Sequence, residues 1–173
     1  MPSPLHIACI GSRSTPPVIL DWMRRAGALL VRAGHHIVSG NAPGADQAWA
    51  AGANTVDPAK VTLCLPWEGF EHQAVHARNG VATLGSLKTA DRHYYETAAA
   101  THPAWSQMTP GAQRLHARNA MIVDRADIVL GWTDGRTGGT KVTFALAQLK
   151  GIPVRTVHAD DDALVLVRKM VRR

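Results

Sequence analysis

Residues 38–53 read Val-Ser-Gly-Asn-Ala-Pro-Gly-Ala-Asp-Gln-Ala-Trp-Ala-Ala-Gly-Ala, and types and spacing here suit anion chemistry. An apolar run ends in Ser39-Gly40, a turn of small residues follows, and an alanine-rich helical stretch begins. Gly40, Ala42, Gly44 and Ala45 leave little bulk at the turn, so a ligand can lie against bare backbone N–H groups. The positive end of a helix dipole points to the same place and favours a phosphate or another anion. Ser39, Gly40, Asn41, Ala42, Gly44 and Asp46 are therefore candidate ligand-binding residues. Asp46, in the first helical turn, can cap backbone donors or accept from a ribose hydroxyl. A tight strand–helix turn with no ligand would have a similar composition.

Two further segments repeat the pattern. After the apolar run Leu5–Ile10 comes Gly11-Ser12-Arg13-Ser14-Thr15, and Pro16-Pro17 then opens a helix where a missing N–H costs least. Gly11 permits a sharp turn, Ser12 supplies a hydroxyl, and Arg13 is a fixed cation suited to phosphate. After Ile128–Trp132 comes Thr133-Asp134-Gly135-Arg136-Thr137-Gly138-Gly139-Thr140. Gly138-Gly139 gives close backbone approach, and Thr140 is placed to cap the helix that follows. Neither the dinucleotide spacing G-x-G-x-x-G nor the Walker spacing G-x-x-x-x-G-K-[ST] is present.

Arg118-Asn119 adds a clamp. The guanidinium can grip a phosphate and the amide can read a base or fix a loop; the competing role for Arg118 is an internal salt bridge, for example to Asp124 or Asp127. Trp67, Tyr94, Tyr95 and Trp105 can stack on a base or pack their own segment. Glu68, Glu71, His72 and His76 are the best metal candidates, but their order is not that of a zinc protease and no third ligand is evident, so no metal and no cofactor are expected. There is no G-x-S-x-G elbow for a serine hydrolase. Cys9 and Cys64 lie in apolar runs and read as buried, inert thiols.

Taken in order, Ile10-Gly11-Ser12-Arg13, Val38 to Asp46, Arg118-Asn119, Gly138-Gly139-Thr140 and Gly151-Ile152-Pro153-Val154 resemble the DprA/LOG-type Rossmann superfamily (SLOG), over roughly residues 5–157. The segment His102-Pro103-Ala104-Trp105 … Leu115-His116-Ala117-Arg118-Asn119 is most similar to that of single-domain DprA-like proteins of phage and bacterial genomes. The resemblance implies a nucleotide- or single-stranded-nucleic-acid-binding protein, with Arg118-Asn119 near the ligand, and a homo-oligomer. It also implies an alternative, an N-glycosidase of LOG type acting on nucleoside monophosphates, or a sensor or sequesterer of a nucleotide signal. LOG enzymes carry a glutamate in P-G-G-x-G-T-x-x-E, and here Thr143 stands in its place. Asp46, Glu68 and Asp134 are the carboxylates left for such catalysis. The flanking domains of DprA proper have no counterpart in 173 residues, so recombinase loading does not carry over.

The elements that must position these residues alternate. Strands are expected over 5–10, 35–39, 60–65, 127–132 and 153–157, with helices over about 16–33, 44–53, 139–150 and 160–172. This is an α/β pattern: a doubly wound, mostly parallel Rossmann-like sheet with helices on both faces. In such a sheet the loops gather at the carboxyl ends of the strands, where ligands bind. Residues 66–126 break the alternation and are expected to form an insertion of two or three helices, one of them Pro110 to Asp124.

A chain of 173 residues is expected to be one domain, residues 1–173, with a substantial core. Its net charge of +6 favours phosphate-bearing partners, although a merely solvated basic surface fits the count as well. The C-terminal cluster Arg168, Lys169, Arg172 and Arg173 also complements the end of a last helix. No apolar run reaches the roughly 20 residues of a membrane span and no signal peptide is evident, so a cytoplasmic protein without membrane partners is expected.

Overall fold

The computed structural model describes residues 3–71, 80–85, 91–136 and 138–171. Strands are β1 (His6–Gly11), β2 (His36–Ser39), β3 (Val61–Leu65), β4 (Gly80–Thr83), β5 (Ile128–Trp132) and β6 (Val154–Thr156). Helices are α1 (Pro17–Arg32), α2 (Ala45–Asn54), α3 (Arg92–Thr101), α4 (Pro110–Asp124), α5 (Gly139–Leu149) and α6 (Ala163–Val171). The strands form one sheet in the order β4-β3-β2-β1-β5-β6, and every pairing is parallel. The strand order reverses beside β1: the chain steps outward through β2, β3 and β4, then returns to the other side of β1 with β5.

Alternation along β1 shows why both faces are covered. Ile7 and Cys9 belong to a core shared with α1, α2 and α6, while Ala8 and Ile10 belong to a second core with α3, α4 and α5. Successive strand residues point to opposite faces, so a continuous apolar run is the signature of a strand buried on both sides. In the first core, Trp22 meets Trp49 edge to face at 5.4 Å and donates its indole N–H to the Asp161 carbonyl at 2.8 Å. The helices α1 and α2 approach backbone to backbone through Gly27 and Gly52. A Cβ on Gly27 would overlap the Trp49 carbonyl, and one on Gly52 the Arg24 carbonyl.

The insertion differs from expectation in one respect. It holds α3 and the expected Pro110–Asp124 helix, whose Thr109 accepts the Ala112 N–H. It also holds β4, which extends the sheet beyond β3. This strand is four residues long, at the sheet edge and largely exposed, so it lacks the apolar run that marks buried strands. Tyr94 and Tyr95 are buried in the second core with Trp105 against it, and Trp67 packs on the first core, edge to face with Phe70 at 5.2 Å. These four aromatics are packing residues. The thiols are buried and unpaired, and burial pushes Cys64 up to about 11. No helix among the described residues is long and apolar enough to cross a membrane. His72, His76, Arg172 and Arg173 lie outside the described residues.

Because the α1–α2 contact is made by backbone atoms, it has no flexible side chain to yield. Gly52→Ala should lower unfolding free energy by at least about 1–3 kcal/mol in urea denaturation; a change under about 0.5 kcal/mol, the usual size for a surface site, would contradict this packing.

Candidate functional site

The loops that leave β1, β2 and β5 are locked together before any side chain meets a ligand. The Ser12 N–H donates to the Trp132 carbonyl at 3.2 Å, which ties the first loop to the end of β5. A Cβ on Gly11 would press on Ala45 at the start of α2. Gly44 caps α2 with φ of 88°, in the left-handed region open to glycine, and sits against the Arg13 backbone. Ser12 and Ser14 share a hydroxyl–hydroxyl hydrogen bond of 2.8 Å, and Thr15 donates to the Ser12 carbonyl at 2.6 Å.

Beneath these loops lies a buried ion pair. Arg118 comes from α4 on one face of the sheet and Asp46 from α2 on the other; their side chains are 6% and 7% exposed, with Nη1 to Oδ2 at 3.7 Å. Nη1 also donates to the Gly40 carbonyl, and the guanidinium lies over the Phe70 ring at 5.5 Å. Asp46 turns back over its own helix start and accepts the Ala42 N–H at 3.3 Å, with Gly11 and Gly40 as further backbone donors. Burial pushes the Asp46 carboxyl up; Arg118 and the three backbone donors pull it down without cancelling that push. Burial likewise lowers the Arg118 guanidinium, with Asp46 opposing. Gly40 must be glycine, since a Cβ there would overlap the guanidinium and crowd the Asp46 carboxylate.

Above the pair opens a cavity of about 480 Å³ at the carboxyl ends of β1 and β5, where the strand order reverses. Doubly wound sheets bind ligands at such a point. The β1 loop contributes Gly11, Ser12 and Arg13, and the β2 turn contributes Ala42 and Asp46. The α4 wall presents Leu115, His116, Arg118, Asn119 and Ile122. Opposite stand Asp134 and Arg136 from the β5 loop, then Gly138, Gly139, Thr140 and Lys141 at the start of α5. That start has no side-chain cap. Thr140 does not fill the capping role expected of it, because the helix begins at Gly139 and the cap position falls on Gly138. The first-turn N–H groups of α5 therefore have no side-chain acceptor among the described residues.

The other expected residues have internal duties and do not line the cavity. Ser39 is fully buried and donates to the Cys9 carbonyl at 2.7 Å. Asn41, buried at φ of 59°, donates to the Phe70 carbonyl at 3.2 Å. Gly40 and Gly44 are the packing glycines described above. Glu68 is exposed, away from the cavity. The partner of Arg118 is Asp46, whereas Asp124 pairs with Lys150 at 3.1 Å and Asp127 lies 3.9 Å from His6. Thr143 is buried and donates to the Gly139 carbonyl at 2.7 Å, so no carboxylate rises from its position on α5. Sequence reasoning found Arg118 and Asn119 on the α4 wall but missed Leu115, His116 and Ile122 beside them, and it missed Arg136 and Lys141 opposite. The spacing of Leu115, Asn119 and Ile122 on one helical face was the available signal for that wall.

No protein-family model matches this chain, and no curated protein matches it in sequence. Solved structures do. DNA processing protein A from Helicobacter pylori, described for its single-stranded DNA binding mode, superposes with a TM-score of 0.65 at 20% identity, over 96% of this chain and 72% of that one. The fold is DprA-like. The Streptococcus pneumoniae protein DprA matches with a TM-score of 0.57 at 17% identity, over 96% of this chain and 56% of its own. A molybdenum cofactor binding protein from Rippkaea orientalis gives 0.59 at 16% identity, over 98% and 86%. One Rossmann-like scaffold thus serves proteins with different ligands, and the ligand of this chain must be argued from its own cavity.

Removing one member of the buried pair strands the other charge. Arg118→Leu should cost about 3–5 kcal/mol in thermal or urea unfolding, and combining it with Asp46→Leu should recover part of that loss. A loss in the double variant equal to the sum of the two single losses would show that the groups do not interact.

Proposed function

We propose that the protein binds a phosphate-bearing nucleic-acid ligand, a nucleotide or a stretch of single-stranded DNA, in the cavity at the carboxyl edge of its sheet. The observation that carries this reading is the convergence of an uncapped helix start, Gly138-Gly139, and the cations Arg13 and Lys141 on one cavity. Backbone N–H groups and the dipole of the 11-residue helix α5 would meet the phosphate, and the cations would close over it.

The glycines divide in a way that supports it. Gly11, Gly40 and Gly44 are required by the protein's own packing. Gly138 is not: none of the described residues beyond its chain neighbours stands within 4 Å of a Cβ built there, and its φ of 173° is extended backbone that any residue adopts. At Gly139 a Cβ would meet only the Asn119 amide, at 3.5 Å. Bare backbone at these two positions serves something that approaches from outside. The likeness to a single-stranded-DNA-binding protein supports the same class of ligand.

Binding is favoured over N-glycosidic cleavage by the state of the carboxylates. Asp46 is engaged by Arg118 and backbone donors, and Glu68 is away from the cavity. Asp134 remains at the rim, where it accepts the Arg136 N–H at 3.0 Å. The reading includes self-association, as the superfamily resemblance implies; light scattering of the purified chain decides that part.

Fluorescence anisotropy of a labelled single-stranded oligonucleotide, at low and near-physiological salt and with mononucleotide competitors, tests the reading. Binding should weaken steeply with salt. Arg13→Ala should cost about 1–3 kcal/mol of affinity. Gly138→Val should fold and yet bind poorly, because its side chain occupies the approach to α5. Unchanged affinity in both variants would refute this site, and release of free base from a nucleoside monophosphate, abolished by Asp134→Asn, would favour the glycosidase alternative.

A further inference from the structure

We propose that His116 is a ligand-contacting residue of this cavity, which takes up a proton as an anion enters and then donates a hydrogen bond to it. The inference rests on the anion-binding reading above and assigns to it a residue that is not among the candidate ligand-binding residues of the sequence.

His116 lines the cavity on the α4 wall, next to Leu115 and in reach of the same space as Asn119. Its Nδ1 is buried with no hydrogen-bond partner among the described residues. Its ring meets that of His102 at 4.5 Å and 61°, an edge-on contact that fixes its orientation. The Nδ1 of His102 accepts the Ala104 N–H at 3.2 Å, so a neutral His102 carries its proton on Nε2. Two imidazoles thus meet edge to face, His116 on the cavity wall and His102, outside the cavity lining, held by the Ala104 N–H.

The charges around His116 come from every side of the cavity. Arg118 shares its helix and His102 faces it from the segment after α3. Arg13 comes from the β1 loop, Arg136 from the β5 loop and Lys141 from α5. The opposing carboxylates are Asp46, already held by Arg118, and Asp134 at the rim. Burial first, then His102 and Arg118, push the imidazole below its ordinary value, so it is neutral at neutral pH without an anion. A bound phosphate reverses the local field and draws the proton back.

The sign follows from linkage. A group whose affinity for protons rises on binding strengthens binding at low pH, and that gain is lost as pH rises through the value it has in the complex. Each unit by which the anion raises the imidazole corresponds to about tenfold in affinity. The window lies around and below the ordinary histidine value of about 6.5.

An oligothymidylate labelled with a rhodamine is the probe, because neither its phosphodiesters nor its dye titrates in this range. Anisotropy is measured from about pH 8 to about pH 5.5, the range in which histidine changes charge. Wild-type affinity should rise about tenfold toward the acid end, while His116→Gln should show a much flatter profile whatever its affinity at the alkaline end. His116→Gln following the wild-type profile overturns the proposal. Binding that is salt-sensitive and weakened by Arg13→Ala, but unaltered in pH profile by His116→Gln, overturns the role of His116 alone. Wild type that binds neither this probe nor a nucleoside monophosphate at any pH overturns both readings. If His116→Gln does not fold, the proton NMR titration of the His116 ring in wild-type protein replaces it: its midpoint should move up on saturation with the oligonucleotide, and an unmoved midpoint overturns the proposal.

Discussion

The buried pair between Arg118 and Asp46 holds the functional edge of this molecule in register. It joins two helix layers on opposite faces of the sheet, and it does so directly beneath the cavity. Charges this deep cost several kcal/mol each to desolvate, and attraction between them repays that only when the remaining hydrogen-bonding capacity is also met. Here it is met largely by backbone: the Gly40 carbonyl for the guanidinium, and N–H groups of the β1 and β2 loops for the carboxylate. The pair therefore organises two loops as well as two helices. Arg118 Nε is the part of the guanidinium left without a partner among the described residues.

Around that pair the work divides by distance from the ligand. Ser39, Asn41 and the packing glycines shape the turn and are consumed in doing so. Arg13, the α5 start and the α4 wall remain directed at open space. The division explains how a turn rich in small residues can look like a phosphate cradle and still serve chiefly as its foundation, with the cradle one strand further along.

Much of the fold was legible because it rests on local pattern. Apolar runs mark β1, β2, β3 and β5, with Gly11 and Gly40 closing the first two, and Pro17, Thr109 and Gly151 punctuate helices where physical chemistry places them. The edge strand β4 escaped because a short, exposed strand carries no such pattern. In the site, residues on strand–loop–helix junctions were visible, and about two thirds of them line the cavity. The pairing of Arg118 with Asp46 was not visible, because 72 positions separate them and nothing local distinguishes Asp46 from Asp124 or Asp127 as a partner. His116 was hidden for a related reason: a histidine on a helix becomes informative only when its neighbours in space are known.

The three-way contact of Gly40, Asp46 and Arg118 also constrains how such a chain can change over time. A side chain at position 40 displaces the guanidinium, loss of the guanidinium strands a carboxylate, and loss of the carboxylate strands a cation. Each single step crosses a destabilised intermediate, and a domain of ordinary stability has only about 5–15 kcal/mol to lose. These positions can drift only as a set. Among distant relatives the triplet should be inherited or replaced whole, while Arg13 and Lys141 on the open side of the cavity are free to vary one at a time and retune the ligand.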